Sequence, residues 1–243
     1  MKIAVLGAHG QLGRDLCPRL PGDVVPLTRA QIDLAAPAGI AAVLADLRPD
    51  LFVNCAAYNL VDKAEFEPQV ALDVNAWGVK ALAEACQAVG CKLVHFSTDY
   101  VFGGDSPTAK PNTPLAETDV PAPLGVYGVS KLVSEYMALT PNPKNLVIRT
   151  CGLYGVWGTG GKGGNFVETM LRLAGEGKPL RVVNDQHCTP SYTVDVADAT
   201  VGLIRAGASG IFHVTNAGAT TWHDLAAEAF RLAGVKADLT PIP

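Results

Sequence analysis

Short apolar runs alternate along the chain with longer stretches in which apolar residues recur every three or four positions. Lys2–Leu6 is an aliphatic run that ends at Gly7. Val24–Leu27, Leu51–Asn54, Lys92–Phe96 and Asn145–Thr150 have the same character. Between them, Gln11–Leu20, Gly39–Leu47, Gln69–Val89 and Tyr127–Leu139 carry helical spacing. Strands that are apolar throughout belong to parallel sheets covered on both faces. The strand–helix rhythm therefore predicts an α/β fold with a Rossmann-like, doubly wound parallel sheet.

Past residue 150 the rhythm loosens. The stretch 152–164 holds seven glycines and no periodicity, which makes it a loop. Asn165–Gly175, Thr193–Arg205 and Thr221–Ala233 read as helices, and Leu180–Asn184 and Ile211–Val214 as short strands. There is no internal repeat and no low-complexity linker. The expected organisation is a dinucleotide-binding domain over residues 1–150. A small C-terminal substrate lobe over 151–243 is interleaved with it, and the boundary falls near 150–165.

Composition narrows the function classes. Hydrophobic residues make up 49% and charged residues 17% of the 243, enough for a sizeable core. The formal net charge is -4 and no basic block occurs, which argues against nucleic acid or an anionic membrane as partner. No apolar run is long enough to span a bilayer. The apolar start leads straight into glycines, so it reads as a first strand and not a signal peptide. The cysteines Cys17, Cys55, Cys86, Cys91, Cys151 and Cys188 form no CxxC pair, and the histidines show no HxxxH or HExxH spacing. Reduced, structural cysteines in a cytoplasmic protein without a metal centre are expected.

The first strand runs into Gly7-Ala8-His9-Gly10-Gln11-Leu12-Gly13, a GxxGxxG turn that opens a helix. One glycine permits the tight turn, one lets backbone approach a pyrophosphate, and one allows helix and strand to pack closely. The helix N-terminus adds free N–H groups and partial positive charge. The second strand ends Thr28-Arg29, a hydroxyl and a guanidinium that suit a 2′-phosphate. NADPH is therefore the favoured cofactor. Asp33, twenty residues beyond Gly13, keeps NADH open, because a carboxylate there suits a free ribose hydroxyl.

The fourth strand ends Ser97-Thr98-Asp99-Tyr100, at the edge where such sheets bind ligands. Tyr127 and Lys131, four apart on a helix, share a face. A free phenol has a pKa near 10, and a neighbouring ammonium lowers it. Tyr127 can then protonate a carbonyl oxygen as hydride arrives, Thr98 can hydrogen-bond that oxygen, and Lys131 can hold the nicotinamide ribose. A lone YxxxK is common by chance. In order with the glycine turn and a strand-end Thr, it is a specific signal.

These elements resemble the extended short-chain dehydrogenase/reductases. Gly10-Gln11-Leu12-Gly13, Val61-Asp62-Lys63-Ala64-Glu65, Ser97-Thr98-Asp99-Tyr100-Val101-Phe102 and Asn184-Asp185-Gln186 narrow the likeness to the dTDP-4-dehydrorhamnose reductase family, over residues 1 to about 233. That resemblance implies NAD(P)H-dependent reduction of the C4 keto group of dTDP-4-dehydro-L-rhamnose. It assigns Tyr127 as proton donor with Lys131 as its partner, and Thr98 and Asp99 as sugar contacts. Gly10, Gln11 and Leu12 match the pyrophosphate turn, and Asp33 and Leu34 an adenine-side contact. Ala56, Ala57 and Tyr58 match the cofactor-lining loop, and Phe96 contributes through its backbone. Asn165 lies near the substrate in the family; read from the residues, it is equally a helix N-cap. A homodimer is also implied.

Two departures stand out. The family places a tryptophan where this chain has Gly152, and Trp157 is the nearby candidate to replace it. Family members also continue past this chain's length with a basic Arg-Pro segment, so the lobe reads as incomplete at its C-terminus. Lys162 and Asn184-Asp185-Gln186 are further candidates for nucleotide contacts. Trp222 reads as lobe packing at a helix start. The rival readings are a related nucleotide-sugar epimerase and a non-catalytic regulatory subunit of the methionine adenosyltransferase type.

Overall fold

The computed structural model describes residues 1–104, 107–108, 113–158 and 164–243. The chain begins β1 (Lys2–Leu6), α1 (Gln11–Leu16), β2 (Asp23–Leu27), α2 (Ile40–Leu47) and β3 (Leu51–Asn54). Next come α3 (Val61–Ala64), α4 (Pro68–Leu72), α5 (Gly78–Ala88), β4 (Lys92–Thr98), α6 (Val126–Leu139) and β5 (Leu146–Thr150). The remainder is β6 (Leu153–Tyr154), α7 (Phe166–Gly175), β7 (Leu180–Val183), β8 (His187–Cys188) and β9 (Ser191–Tyr192). It closes with α8 (Thr193–Arg205), β10 (Gly210–His213), β11 (Thr220–Thr221), α9 (Trp222–Ala233) and β12 (Leu239–Ile242).

Six strands form one sheet in the order β10-β5-β4-β3-β1-β2, every pair parallel. The apolar runs end up covered on both faces, as their composition requires. One face buries Leu6, Phe52 and Leu93 with Leu44 of α2 and Leu82 of α5. The other buries Val5, Val53 and Val94 with Leu12 and Leu16 of α1 and Val196 and Val201 of α8. Within residues 193–213, α8 packs on the sheet and β10 joins it as an edge strand. The lobe proper has a small core of its own, centred on Ala174, Leu180, Ala226 and Phe230.

Two expected helices differ in detail. The first ends at Leu16 and continues only as a short 3-10 turn, Cys17–Arg19, with Pro18 inside it. The stretch 69–89 is α4, a π-helical turn at Asp73–Trp77, and α5. The π turn carries Asn75, whose side chain is bound to residues far along the chain.

Candidate active site

The carboxyl ends of β1, β3, β4 and β5 lie side by side, with Leu6 registered on Asn54 and Thr98 on Thr150. In a doubly wound sheet of this order the crevice opens where the strand order reverses, beside β1 and β3. Gly7 has φ +78°, and a Cβ there would lie 2.9 Å from the Ala56 nitrogen. A Cβ on Gly13 would lie 2.3 Å from the Gly7 oxygen. Both close approaches demand glycine. The first presses the turn against Cys55 and Ala56, and the second closes the turn on itself. The Gly10 N–H closes the turn onto Gly7 O at 2.9 Å, and no side chain caps α1. The N–H groups of Gln11, Leu12 and Gly13 are the ones a helix start leaves without carbonyl partners. Leu12 is core, so its part in the turn is through backbone.

Arg29 is 79% exposed, and its Nε donates to Asp33 Oδ2 at 3.0 Å. Asp33 Oδ1 accepts the Ala35 N–H at 3.0 Å. Its carboxylate is therefore engaged by its own loop and by Arg29, and the two residues act together. The Leu34 side chain is buried in the core.

The loop after β3 is tied to α6 by Asn75, which the sequence reading missed. Asn75 Oδ1 accepts the Tyr58 N–H at 2.9 Å, and Nδ2 donates to Tyr58 O and to Ser130 Oγ, each at 2.9 Å. Ser130 Oγ donates to the Tyr127 carbonyl at 2.7 Å. The only sequence signal was an amide buried in an alanine-rich helix. Tyr58 also donates its hydroxyl to Glu67 Oε1 at 2.7 Å.

Tyr127 lies at the start of α6, edge-on to Tyr100 with ring centroids 5.6 Å apart. The Thr98 side chain lies close enough to its hydroxyl to pull the phenol's pKa down. Thr98 Oγ1 also donates to Asp99 Oδ1 at 3.1 Å and accepts the Tyr100 N–H at 3.2 Å. Burial pushes the Tyr127 phenol above its ordinary range; Thr98 opposes this, and Asp99 and Tyr100 add to it. Burial likewise raises the Asp99 carboxyl, against hydrogen bonds from Cys151, Thr98 and backbone.

Lys131, one turn on from Tyr127 in α6, is held by the strand. Only 2% exposed, its Nζ donates to Phe96 O at 2.6 Å and lies 3.4 Å from His95 Nε2. Phe96 O is thus the acceptor that holds Lys131. Burial lowers the Lys131 ammonium to about 8, with the Glu135 charge acting the other way. The sign for stability follows directly. The unfolded chain holds this proton up to about 10.5 and the folded chain loses it near 8, so stability rises with pH between the two. From pH 8 to pH 10 the unmutated protein should gain about 2 kcal/mol relative to Lys131→Met in urea unfolding. Parallel pH curves for the two proteins would refute a buried, titrating Lys131.

The lobe side carries Gly152 and Asn165. Gly152 has φ +47°, and a Cβ there would meet the Trp222 ring at 2.9 Å. Trp222 also packs on Phe166, with ring centroids 4.8 Å apart. The indole at Gly152 is therefore Trp222, not Trp157. Trp157 donates to Asp15 Oδ1 at 3.0 Å and lies under Arg14, on α1. Asn165 forms a full capping box with Glu168, and its Nδ2 donates to Gln11 Oε1 at 3.1 Å. It caps α7 and anchors it to the glycine turn. Asn184 accepts from Thr221 Oγ1 at 2.7 Å. Lys162 lies outside the described residues.

Residues 1–243 match the family described as the RmlD substrate binding domain. The chain belongs to this family. It is 40% identical to the dTDP-4-dehydrorhamnose reductase of Salmonella typhimurium, covering 100% of this chain and 82% of that protein. It is 41% identical to the dTDP-4-keto-6-deoxy-D-glucose reductase of Streptomyces niveus, over 98% of this chain and 81% of the other. The crystal structure of the dTDP-4-dehydrorhamnose reductase from Bacillus anthracis, in complex with NADP, superposes with a TM-score of 0.89 at 36% identity. That likeness covers 99% of this chain and 83% of the other. The RmlD family match runs through both the glycine turn and the lobe that carries Gly152 and Trp222.

Proposed function

We propose that this chain is an NADPH-dependent reductase of the C4 keto group of a dTDP-linked 6-deoxysugar, with dTDP-4-dehydro-L-rhamnose reduced to dTDP-L-rhamnose as the leading case. One observation carries the reading: Thr98 at the end of β4 and Tyr127 at the start of α6 both meet Tyr100, at the carboxyl edge of the sheet that also carries the glycine turn. Thr150 Oγ1, opposite Thr98 in register, is buried without a hydrogen-bond partner, a polar atom suited to a ligand at this edge. The relatives with reductase names point the same way.

In this reading Gln11, Leu12 and Gly13 hold the cofactor diphosphate through backbone N–H groups, Gly7 and Gly10 shape the turn that lets it approach, and Ala56, Ala57 and Tyr58 line its far side. The nicotinamide supplies a hydride to C4 when bound. Tyr127 gives its phenolic proton to the carbonyl oxygen, converting ketone to alcohol. Thr98 turns its hydroxyl from Asp99 to donate to that same oxygen and positions it. The elevated phenol suits this direction, because the acid stays protonated at neutral pH. Lys131 directs its remaining N–H groups to the ribose, and Asp99 and Gly152 border the sugar. Asn165, through Gln11, keeps the lobe registered on the turn.

Turnover of dTDP-4-dehydro-L-rhamnose, followed by loss of NADPH absorbance, tests the proposal; cofactor binding without turnover of any dTDP-4-keto sugar would refute it. Arg29→Ala should raise KM for NADPH about tenfold and leave KM for NADH unchanged, as loss of one charged hydrogen bond to a 2′-phosphate requires. Equal changes for both cofactors would remove Arg29 from the site. A cytoplasmic location and a homodimer belong to the same proposal. Six free cysteines, and no helix among the described residues long and apolar enough to cross a membrane, support the first. Light scattering in solution tests the second.

A further inference from the structure

We propose that His95 is a positioning residue for Lys131: its Nε2–H closes the strand side of the ammonium and leaves the remaining Lys131 N–H groups for the cleft. The inference rests on the reading of Lys131 as the residue that holds the cofactor beside Tyr127.

The argument is one of hydrogen-bond direction. His95 is 1% exposed in β4. Asn54 Oδ1 accepts the Ala56 N–H at 3.1 Å, so the other end of that amide, Nδ2, is the one facing His95 Nδ1 at 3.1 Å. An amide N–H needs a lone pair opposite it, so Nδ1 is the unprotonated nitrogen. The ring proton is then on Nε2, which donates to Ser134 Oγ at 2.9 Å. Ser134 Oγ passes its own proton to Lys131 O at 2.5 Å. Donors run one way, from Asn54 through His95 and Ser134 to the backbone of α6.

Lys131 Nζ, 3.4 Å from Nε2, therefore faces a donor and not an acceptor. On this side of the ammonium the strand offers a single acceptor, Phe96 O at 2.6 Å. The chain also fixes α6 at Lys131 itself, through that residue's carbonyl. Protonating Nδ1 would set two N–H groups against each other, so His95 stays neutral. That agrees with its being held well below the usual histidine range, by burial first and by the Lys131 charge second.

A histidine that merely joined β3 to β4 would act through its Nδ1 contact with Asn54; a positioning residue for Lys131 acts through Nε2. Two substitutions separate these roles. His95→Asn reaches only the Nδ1 position, whereas His95→Gln reaches the Nε2 position and can donate to Ser134. We expect kcat to fall about 100-fold in His95→Asn and to stay within about threefold in His95→Gln, the scale set by misplacing a reacting group. The reverse order, or equal activities, would overturn the proposal. Lys131→Met is run alongside. If it keeps full turnover, the reading beneath the proposal has failed; if it loses turnover while both His95 variants keep theirs, only the proposal has. Should the variants not fold, long-range ¹H–¹⁵N NMR on the unmutated protein decides. A pyridine-type Nδ1 and a pyrrole-type Nε2 are expected, and a proton on Nδ1 would overturn the argument.

Discussion

Tyr127→Phe should lower kcat about 1,000-fold, within the range of a lost general acid, and leave NADPH affinity unchanged. The substitution removes one oxygen. The ring keeps its edge-on contact with Tyr100, and the backbone carbonyl keeps its bond from Ser130. What goes is the hydroxyl that, in the proposed mechanism, gives its proton to the developing alkoxide. Neither neighbour replaces it. Burial raises the phenol of Tyr100, and the Thr98 hydroxyl, an aliphatic alcohol, is a far weaker acid than a phenol. Because the proton is needed only in the transition state, kcat and kcat/KM should fall together. The pH profile gives an independent check. With the phenol pushed above its ordinary range, reduction by the unmutated enzyme should show no loss from phenol ionisation up to about pH 10. A variant as fast as the parent would remove Tyr127 from the chemistry.

The largest effect on stability is expected at Arg149. Its Nε and Nη2 make a two-pronged ion pair with Glu135 at 2.8 and 2.7 Å, and both side chains are under 5% exposed. Ser97 Oγ donates to the same carboxylate at 2.6 Å, and Arg149 Nη1 lies 3.3 Å from His213 Nε2. The guanidinium also stacks on Phe102, 5.0 Å from the ring centroid. The cluster ties α6 to β4, β5 and β10, directly beneath the strand ends that carry the site. Arg149→Met strands a buried carboxylate, which should cost about 3–5 kcal/mol. For a chain of this size that is roughly a 10 °C fall in Tm. Adding Glu135→Leu should recover part of the loss, since removing both charges leaves fewer buried groups unpaired. A fall of less than about 1 kcal/mol for the single variant would show that the pair is solvated in solution.

Much of this was legible in the chain itself. β1, β3 and β5 are apolar on both faces, a demand only a covered parallel sheet meets. In the glycine turn, Gly13 was legible because it answers to Gly7 and Ala8 a few residues away, whereas Gly7 also answers to Cys55 and Ala56, past β3. Tyr127 and Lys131 were legible as a pair because helical spacing is a local property. The two-residue strands β6, β8, β9 and β11 carry no periodicity of their own and form only because partners from elsewhere meet them. Asn75 interrupts a helix because Tyr58 and Ser130, seventeen and fifty-five positions away, claim its amide.

The sequence by itself therefore determined the sheet, the turn and the order of the reacting groups, since these follow from short-range spacing and apolar content. Only the tertiary structure decided where the charges and hydrogens go. It spends a Lys131 proton on Phe96 O, raises the phenol of Tyr127 by burial, sets Trp222 against Gly152 and orients the imidazole of His95. Each of these depends on which group, distant along the chain, is brought within hydrogen-bonding or packing distance, and on how much water is excluded there.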